Sequence, residues 1–341
     1  MMRFGFSEYV SLGHPDKIAD YISEYILDRY IDRDPNVRYA LEVQIKDNHV
    51  TLGGEITSSV RFSEYVIDDF VRAAVREIGY TPEYQRRWGR DNALSCDDVT
   101  VTQYISAQSP DIARGVDASG WGDQGIMFGM AVNDPDRNYM PLDIYLARKI
   151  GKHLFDIKYA GLDIKTQVTV EDGAVRNVIV AVPMLPMHSD QDIANVVSYC
   201  CRNIPGNYDL IINGTGRFVR HASMGDCGTT GRKLAVDFYG GNCNIGGGSP
   251  WTKDASKADL TLNLYARYKA VEYVKTHGVP FCKCGIACCI GKSDIEVFLM
   301  DEKNEIIETW HEARSPEDII EMFGLRKPIF AKMCKEGLFY I

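Results

Sequence analysis

One pattern constrains the fold of this chain more than any other: a predicted β-hairpin that occurs three times at nearly constant spacing. The turns are centred near residues 47, 172 and 292, which lie about 120 to 125 residues apart. Each turn joins two short runs typical of paired antiparallel strands. The predicted pairs are Arg38–Lys46 with Val50–Thr57, Thr166–Glu171 with Val175–Val182, and Gly285–Gly291 with Ile295–Asp301. A repeat of this length predicts three similar structural units.

Helical periodicity surrounds each predicted hairpin. Apolar residues recur every three or four positions on both sides, which favours an amphipathic helix before and after it. The helices are predicted near 15–34, 141–155 and 255–276 before the hairpins, and near 62–78, 193–197 and 319–323 after them. The predicted fold class is therefore α+β, in which each unit places helices on one face of a small sheet. The predicted domain boundaries are 1–112, 113–218 and 219–341.

Charge and hydropathy narrow the classes of partner. Of the 341 residues, 38 are Lys or Arg and 47 are Asp or Glu, so the formal net charge is −9. An acidic chain repels nucleic-acid backbones at long range, so nucleic acid is not expected as a partner. Without an apolar run of membrane-spanning length or a secretory core, no membrane partner and a cytoplasmic location are expected. A local group of cations must then bind any anionic substrate.

Four of the ten cysteines lie close together, at Cys282, Cys284, Cys288 and Cys289. Their spacing matches no common zinc or iron–sulfur pattern, and no histidine follows at ligand distance. A metal site is the alternative, but free cysteine packs as a small apolar residue. We interpret them as reduced, buried strand cysteines, with Cys282, Cys284 and Cys288 on one face.

Two glycine-containing segments could bind phosphate groups. Gly13–Lys17 opens the first predicted helix, where unpaired amides and the helix dipole favour anions, and Lys17 adds a cation for the ligand. In Gly225–Lys233, glycines let backbone amides approach a ligand closely. This segment ends on two adjacent cations, Arg232 and Lys233, before a predicted strand at Leu234–Tyr239. Each segment alone is also compatible with a capped helix or a simple turn.

A third segment, Gly246–Asp259, leads from three glycines into a helix. Lys253 and Lys257 lie four residues apart and could contact one polyphosphate, while Asp259 could hold its magnesium ion. Taken together, the three segments predict a nucleoside triphosphate as ligand. They also supply the local cations that the overall charge requires.

Several longer motifs follow one another along the chain, at Gly13–Asp20, Gly53–Thr57, Gln108–Ile112, Gly122–Gly125, Lys165–Thr169, Gly214–Val219, Met224–Gly228 and Thr230–Lys233. Together they resemble methionine adenosyltransferase, the S-adenosylmethionine synthetase family. The resemblance runs in collinear order from about Phe6 to Gly291. It implies the fold of that family, with three βαββαβ-type units around a pseudo-threefold axis.

The resemblance also implies a reaction. The sulfur of L-methionine displaces triphosphate from C5′ of ATP, and the bound triphosphate is hydrolysed to pyrophosphate and phosphate. The catalytic residues implied are His14, Lys165, Arg232, Lys233 and Lys253. These residues, together with Asp163, Arg217, Phe218, Asp226 and Ser249, would form the ATP site. The methionine site would contain Glu55, Gln108, Asp123, Asp226 and Lys257.

Cofactors and assembly follow from the same resemblance. It implies two Mg²⁺ per site, with Asp16 and Asp259 as ligands, and one K⁺ near Glu42. It also implies a homodimer with shared sites, with a tetramer as a further option. In that arrangement we expect His14–Lys17 and Arg232–Asp259 to come from different subunits. Apolar strand residues that would need cover include Val43, Ile45, Val101 and Ile126.

Some positions depart from the pattern of the family. They include Leu185–His188, His221–Ser223 and Ser249–Thr252, a shortened loop at Gly115–Trp121 and a shortened C-terminus from Phe323. A non-catalytic regulatory subunit, or an enzyme for another thioether or nucleotide, is therefore the alternative. The intact charged residues favour catalysis, because a binding module has no need of the full set.

Overall fold

The computed structural model describes residues 4–107 and 120–341. Predictions for Gln108, for the Gln108–Ile112 motif and for most of the loop at Gly115–Trp121 lie outside the described residues. The helices in the described ranges are α1 Pro15–Ile31, α2 Glu64–Ile78, α3 Pro82–Trp88, α4 Leu142–Phe155, α5 Asp190–Cys201, α6 Ala222–Gly225, α7 Leu234–Asp237, α8 Ala258–His277, α9 Pro316–Phe323 and α10 Phe330–Glu336.

The strands form three four-stranded sheets. Their bounds are β1 Phe4–Val10, β2 Arg38–Lys46, β3 His49–Thr57, β4 Thr100–Ser106, β5 Gly125–Val132, β6 Lys165–Glu171, β7 Ala174–Ala181, β8 Asp209–Ile212, β9 Gly228–Thr229, β10 Phe281–Cys288, β11 Asp294–Met300 and β12 Ile306–Ala313. The predicted α+β class and the three-unit architecture are confirmed.

Each sheet is built on one predicted hairpin. The strand orders are β4-β3-β2-β9 in the N-terminal sheet, β1-β6-β7-β8 in the central sheet and β12-β11-β10-β5 in the C-terminal sheet. The first two hairpins close through two-residue turns, since Lys46 pairs with His49 and Glu171 with Ala174. The first strand of the third hairpin was predicted too late along the chain, because β10 already ends at Cys288. The loop that joins β10 to β11 is longer than the two-residue turns of the other hairpins.

The three units exchange strands. The first strand of each predicted unit pairs in the sheet of another unit: β1 with β6, β5 with β10, and β9 with β2. The exchange runs in a closed cycle, so no sheet is made from one contiguous segment. The boundaries 1–112, 113–218 and 219–341 therefore remain a prediction. Each sheet contains strands from both sides of one of these boundaries or from the first and the last predicted unit.

Each long helix covers the inner face of a sheet. The residues of α1, β2 and β3 share one large apolar core. Val43 and Ile45, which were expected to need cover from outside, are already buried there. Ile126 on β5, by contrast, remains 61% exposed. No helix in the described ranges is long and apolar enough to cross a membrane.

The clustered cysteines lie mostly in the core. Cys282, Cys284 and Cys288 are buried on β10 and unpaired, whereas Cys289 is exposed in the loop that follows. The prediction of buried, free strand cysteines is confirmed for the first three and wrong for Cys289.

The predicted strand at Leu234–Tyr239 is wrong. Leu234–Asp237 forms a single helical turn, in which the Asp237 amide donates to Lys233 O and the Phe238 amide to Leu234 O. The turn carries the Asp237 carboxylate inward, where it accepts a hydrogen bond from the Lys17 ammonium. A buried charge pair thus overrides the apolar pattern of this segment.

Candidate active site

A cavity of about 530 Å³ lies where the start of α1, the first residue of β6 and the loop before α6 meet. Six predicted site residues line it: His14, Asp163, Lys165, Arg217, Phe218 and Asp226. The chain therefore brings together residues that are up to about 210 positions apart in the sequence.

His14 begins α1 as its N-terminal cap. Its Nδ1 accepts a hydrogen bond from the Asp16 amide at 3.1 Å, and Pro15 occupies the first helical position. Burial, together with the nearby Lys165 and Lys233 ammonium groups, lowers the pKa of His14 to about 3. The imidazole is therefore neutral near pH 7. With Nδ1 used as the acceptor, its proton resides on Nε2, which remains a hydrogen-bond donor.

Asp16, in the first turn of α1, contacts the glycine-rich segment Gly225–Lys233. Its Oδ2 accepts from the Lys233 ammonium at 2.6 Å and its Oδ1 from the Thr229 amide at 2.9 Å. Burial opposes ionisation, but the hydrogen bonds from Lys233 and the Thr229 amide hold the pKa of Asp16 below its usual range. Arg232 lies 4.0 Å from Asp16 and is 60% exposed. The expectation that His14–Lys17 and Arg232–Asp259 come from different subunits is therefore wrong for Arg232 and Lys233, which contact Asp16 of the same chain.

Asp163 is buried and lines the cavity. One of its carboxylate oxygens accepts from the Ala222 amide at 2.9 Å. Burial raises the pKa of Asp163 to about 7, although this hydrogen bond and Lys165 act in the opposite direction. Lys165, the first residue of β6, is exposed at the cavity wall.

A second group of predicted residues follows the edge of β2. Glu42 accepts hydrogen bonds from the hydroxyl groups of Thr230 and Thr252. Lys253, next to Thr252 in sequence, pairs with Asp259 at 2.7 Å. Lys257 is the N-terminal cap of α8, and the Ser249 hydroxyl donates to Trp251 O. Lys253, Lys257 and Asp259 do not line the main cavity.

The predicted methionine residues are less concentrated. Asp226 lines the cavity, where its Oδ1 accepts from the Cys227 amide. Glu55 on β3 and the exposed Asp123 do not line the main cavity. Within the described residues, the main cavity therefore gathers only part of the predicted ATP set and, of the predicted methionine set, Asp226.

Lys17 was interpreted as a cation for the ligand, and this is wrong. Its ammonium is buried 2.7 Å from Asp237 and 3.2 Å from Asp20. The Trp251 Nε1–H donates to the same Asp237 carboxylate at 2.8 Å. Burial acts against the charge of Lys17, but the two carboxylates raise its pKa well above the ordinary value. Lys17 therefore joins α1 to α7 instead of lining the main cavity.

Several lining residues were not identified from the sequence, among them Arg220 and His221. Arg220 is exposed at the cavity and its Nε donates to Met224 O at 2.7 Å. His221, fully buried behind Phe218, lines the same cavity. Arg220 could have been identified as one more basic residue in a loop that already contains Arg217. The sequence marked His221 only as part of His221–Ser223, a segment that departs from the pattern of the family, and assigned it no role in the site.

The donors present suit the metal ions that the resemblance implies. Asp16, Asp259 and Glu42 supply oxygen ligands, which is the chemistry of Mg²⁺ and of alkali ions. Asp16 and Asp259 are each paired with one lysine, and no group of three His, Cys, Asp or Glu side chains in the described residues could hold a metal. Mg²⁺ commonly uses one or two carboxylates plus substrate phosphates, so these donors fit it.

Comparison with known proteins gives matches along nearly the whole chain. Sequence models of S-adenosylmethionine synthetase match in three parts: the N-terminal domain over residues 3–110, the central domain over 118–218 and the C-terminal domain over 221–340. The S-adenosylmethionine synthase of Pelagibacter ubique is 36% identical over 366 residues, covering 98% of this chain and 92% of that protein. The S-adenosylmethionine synthase of Staphylococcus epidermidis is 34% identical, and the match covers 99% of this chain and 92% of that protein.

A solved structure is also similar. It is described as an unusual S-adenosylmethionine synthetase from Campylobacter jejuni. It has a TM-score of 0.89 and 30% sequence identity, and the match covers 98% of this chain and 94% of that one.

Proposed function

This chain belongs to the S-adenosylmethionine synthetase family, and on that basis we propose how its residues carry out the reaction. The chain is a methionine adenosyltransferase. It converts ATP, L-methionine and water to S-adenosyl-L-methionine, phosphate and pyrophosphate. The observation that carries the residue assignments is the main cavity, which His14 and Lys165 line together with Arg217 and Phe218.

The chemistry needs no general base. The methionine sulfur carries no proton, so its lone pair forms the S–C5′ bond while the C5′–O bond to triphosphate breaks. Negative charge then increases on the departing oxygen, and preorganised donors lower the barrier by stabilising it. His14 Nε2–H is suited to donate a hydrogen bond to that oxygen. A pKa of about 3 makes His14 a neutral donor near pH 7 instead of a general acid.

The remaining cations would hold the triphosphate. Lys165 is at the cavity wall, and Arg232 and Lys233 lie beside Asp16 at the α1 N-terminus. Lys253 would complete this set from the second group of residues. Arg217 and Phe218 would flank the adenine, with Asp163 and Ser249 as further ATP contacts, because an aromatic ring and a guanidinium group both pack on a flat base.

Members of this family use metal ions. For this chain we propose two Mg²⁺ per site, held by Asp16 and Asp259, and one K⁺ near Glu42. Bound Mg²⁺ would neutralise phosphate charge during transfer. The carboxylate at Glu42, with the hydroxyl groups of Thr230 and Thr252, offers an all-oxygen environment for the monovalent ion.

The methionine site and the assembly are proposed together. Glu55, Gln108, Asp123, Asp226 and Lys257 would bind methionine. The main cavity in one chain has Asp226 but not Glu55, Asp123 or Lys257, which supports a homodimer whose sites are completed across the interface. Exposed Tyr104 and Ile126, at 71% and 61%, lie on outer sheet faces that such an interface could cover.

The test is direct. Purified protein is incubated with ATP, methionine, Mg²⁺ and K⁺, and S-adenosylmethionine, phosphate and pyrophosphate are quantified. We expect all three products in equal amounts. ATP binding without any product would instead favour the non-catalytic alternative, which no observation favours. Omitting Mg²⁺ or K⁺ in turn tests the two ion assignments separately.

A further inference from the structure

A compact aromatic cluster lies behind Phe218, at the wall of the main cavity. His221 occupies its centre and is fully buried. The His221 ring centre lies 4.6 Å from that of Trp88, 5.7 Å from that of Tyr84 and 6.4 Å from that of Phe218. The cluster therefore joins α3, from the N-terminal part of the chain, to the loop that carries Arg217 and Phe218.

Hydrogen bonds define the protonation of His221. Its Nδ1 lies 2.7 Å from Val219 O, and since a carbonyl oxygen can only accept, Nδ1 carries the proton. Burial lowers the pKa of His221 to about 4, so the ring is neutral near pH 7 and Nε2 is an acceptor. Nε2 then accepts from the Tyr84 hydroxyl at 2.6 Å, and that hydroxyl accepts from the Leu162 amide at 3.1 Å.

The loop that contains Phe218 and His221 is also held by backbone hydrogen bonds on both sides of His221. The His221 amide donates to Asn92 O at 3.1 Å, just beyond α3. The next residue, Ala222, has a φ of +52° and donates its amide to Asp163. On the other side, Phe218 O accepts from the Met184 amide at 3.1 Å. A shift of His221 would therefore move Phe218 on one side and the Asp163 contact on the other.

We propose that the Tyr84–His221 pair positions the nucleoside wall of the cavity and thereby sets the affinity for ATP. Neither residue acts on the reacting atoms; both act through Phe218 and Arg217. This proposal rests on the proposed function, because it takes the cavity to be the ATP site. Simple core packing is the competing explanation, and it predicts a loss of stability without a selective loss of nucleotide affinity.

The test separates nucleoside binding from triphosphate chemistry. Tyr84→Phe removes one hydroxyl and keeps the ring. We expect KM for ATP to rise about tenfold, the size associated with one buried hydrogen bond. We expect kcat to stay within about twofold and KM for methionine to stay unchanged, the pattern of a lost binding interaction. Hydrolysis of added inorganic triphosphate, which lacks a nucleoside, should keep its KM and kcat.

A matched control tests whether any buried tyrosine hydroxyl has this effect. Tyr265 is 1% exposed, and its hydroxyl donates to Glu312 at 2.5 Å beside the C-terminal sheet. Tyr265→Phe should lower the melting temperature without changing KM for ATP. His221→Ala should raise KM for ATP, and adding Tyr84→Phe to it should cause little further increase, because the two residues form one unit.

Several results would overturn the proposal. These are an unchanged KM for ATP in Tyr84→Phe, a parallel loss of triphosphate hydrolysis, or the same KM shift in Tyr265→Phe. Calorimetric titration of ATP into the wild type and into Tyr84→Phe gives an independent reading. A wild type that binds ATP but forms no S-adenosylmethionine would refute the proposed function, while the affinity difference between the two proteins would still decide this inference.

Discussion

At the scale of single residues, burial reduces the charge of two ionisable groups that line the main cavity. His14 is kept neutral by burial and by the neighbouring lysines, and Asp163 is kept protonated up to about pH 7 by burial. Below about pH 7, neither group therefore adds a full charge to the cavity. The positive potential there comes from lysine and arginine, whose charges persist across the physiological range.

The donor role of His14 is testable with one substitution. Asparagine is a good helix cap, so His14→Asn should keep the start of α1 intact while removing the Nε2–H donor. We expect kcat to fall about 10²- to 10³-fold, as for loss of one preorganised donor. Circular dichroism should remain that of the wild type. Near-normal turnover would remove His14 from the mechanism, and Lys165→Met is expected to behave in the same direction.

The pKa of Asp163 predicts a pH-dependent stability. The native carboxyl keeps its proton up to about pH 7, whereas the ordinary value is 3.8. Between these values the folded protein binds the proton that the unfolded chain releases, so the stability of the protein falls as pH rises from about 4 to 7. Asp163→Asn removes this penalty and keeps an acceptor for the Ala222 amide.

For Asp163→Asn we therefore expect a gain in unfolding free energy that grows from small at pH 4 to about 4 kcal/mol above pH 7, because each pKa unit of the shift corresponds to about 1.4 kcal/mol. Urea unfolding of both ligand-free proteins at pH 4.5, 6 and 8 measures it. A difference that stays constant over this range would contradict the argument.

At the scale of elements, a buried ion pair joins α1 to α7. Lys17 on α1 contacts Asp237 on α7, and Trp251 donates to the same carboxylate. The two charged partners are 220 residues apart in sequence. This contact positions the glycine-rich segment ahead of α7, so that Lys233 and the Thr229 amide reach Asp16.

Breaking that pair should destabilise the fold. Lys17→Met leaves Asp237 and Asp20 buried without their cation, and we expect a loss of about 3–5 kcal/mol in unfolding free energy. Arg29→Met, on the exposed side of the same helix, is the control and should change stability by less than about 1 kcal/mol. Equal effects of the two substitutions would show that the buried pair has no special importance.

At the scale of the whole molecule, the cyclic exchange of β1, β5 and β9 ties the three units into one body. The same exchange brings Gly228–Thr229 beside β2 and hence the glycine-rich segment beside α1. Within one chain, Asp16 pairs with Lys233 and Asp259 pairs with Lys253. We infer that these two carboxylate–lysine pairs belong to the two halves of a shared site.

Subunit exchange tests this assembly. Asp16→Asn and Lys253→Ala proteins, each inactive alone, are mixed under conditions that allow exchange. In a dimer with shared sites, a mixed dimer regains one intact site, so up to about a quarter of wild-type activity should return if the subunits mix at random. Activity from a protein that sediments as a monomer, or no recovery from verified mixed dimers, would refute the shared site.

Local patterns in the sequence were sufficient for the repeated hairpins, the flanking helices and the charged motifs. Strand alternation at Arg38–Lys46 and the proline that opens α1 depend on neighbours within a few residues, so short-range physics determines them. The tertiary structure decided the rest. The strand exchange, the burial of Lys17, the helical turn at Leu234–Asp237 and the enclosure of His221 all depend on partners far away in the chain. Such contacts exist only after the chain has folded, because burial removes water from the polar groups and requires a partner for each of them.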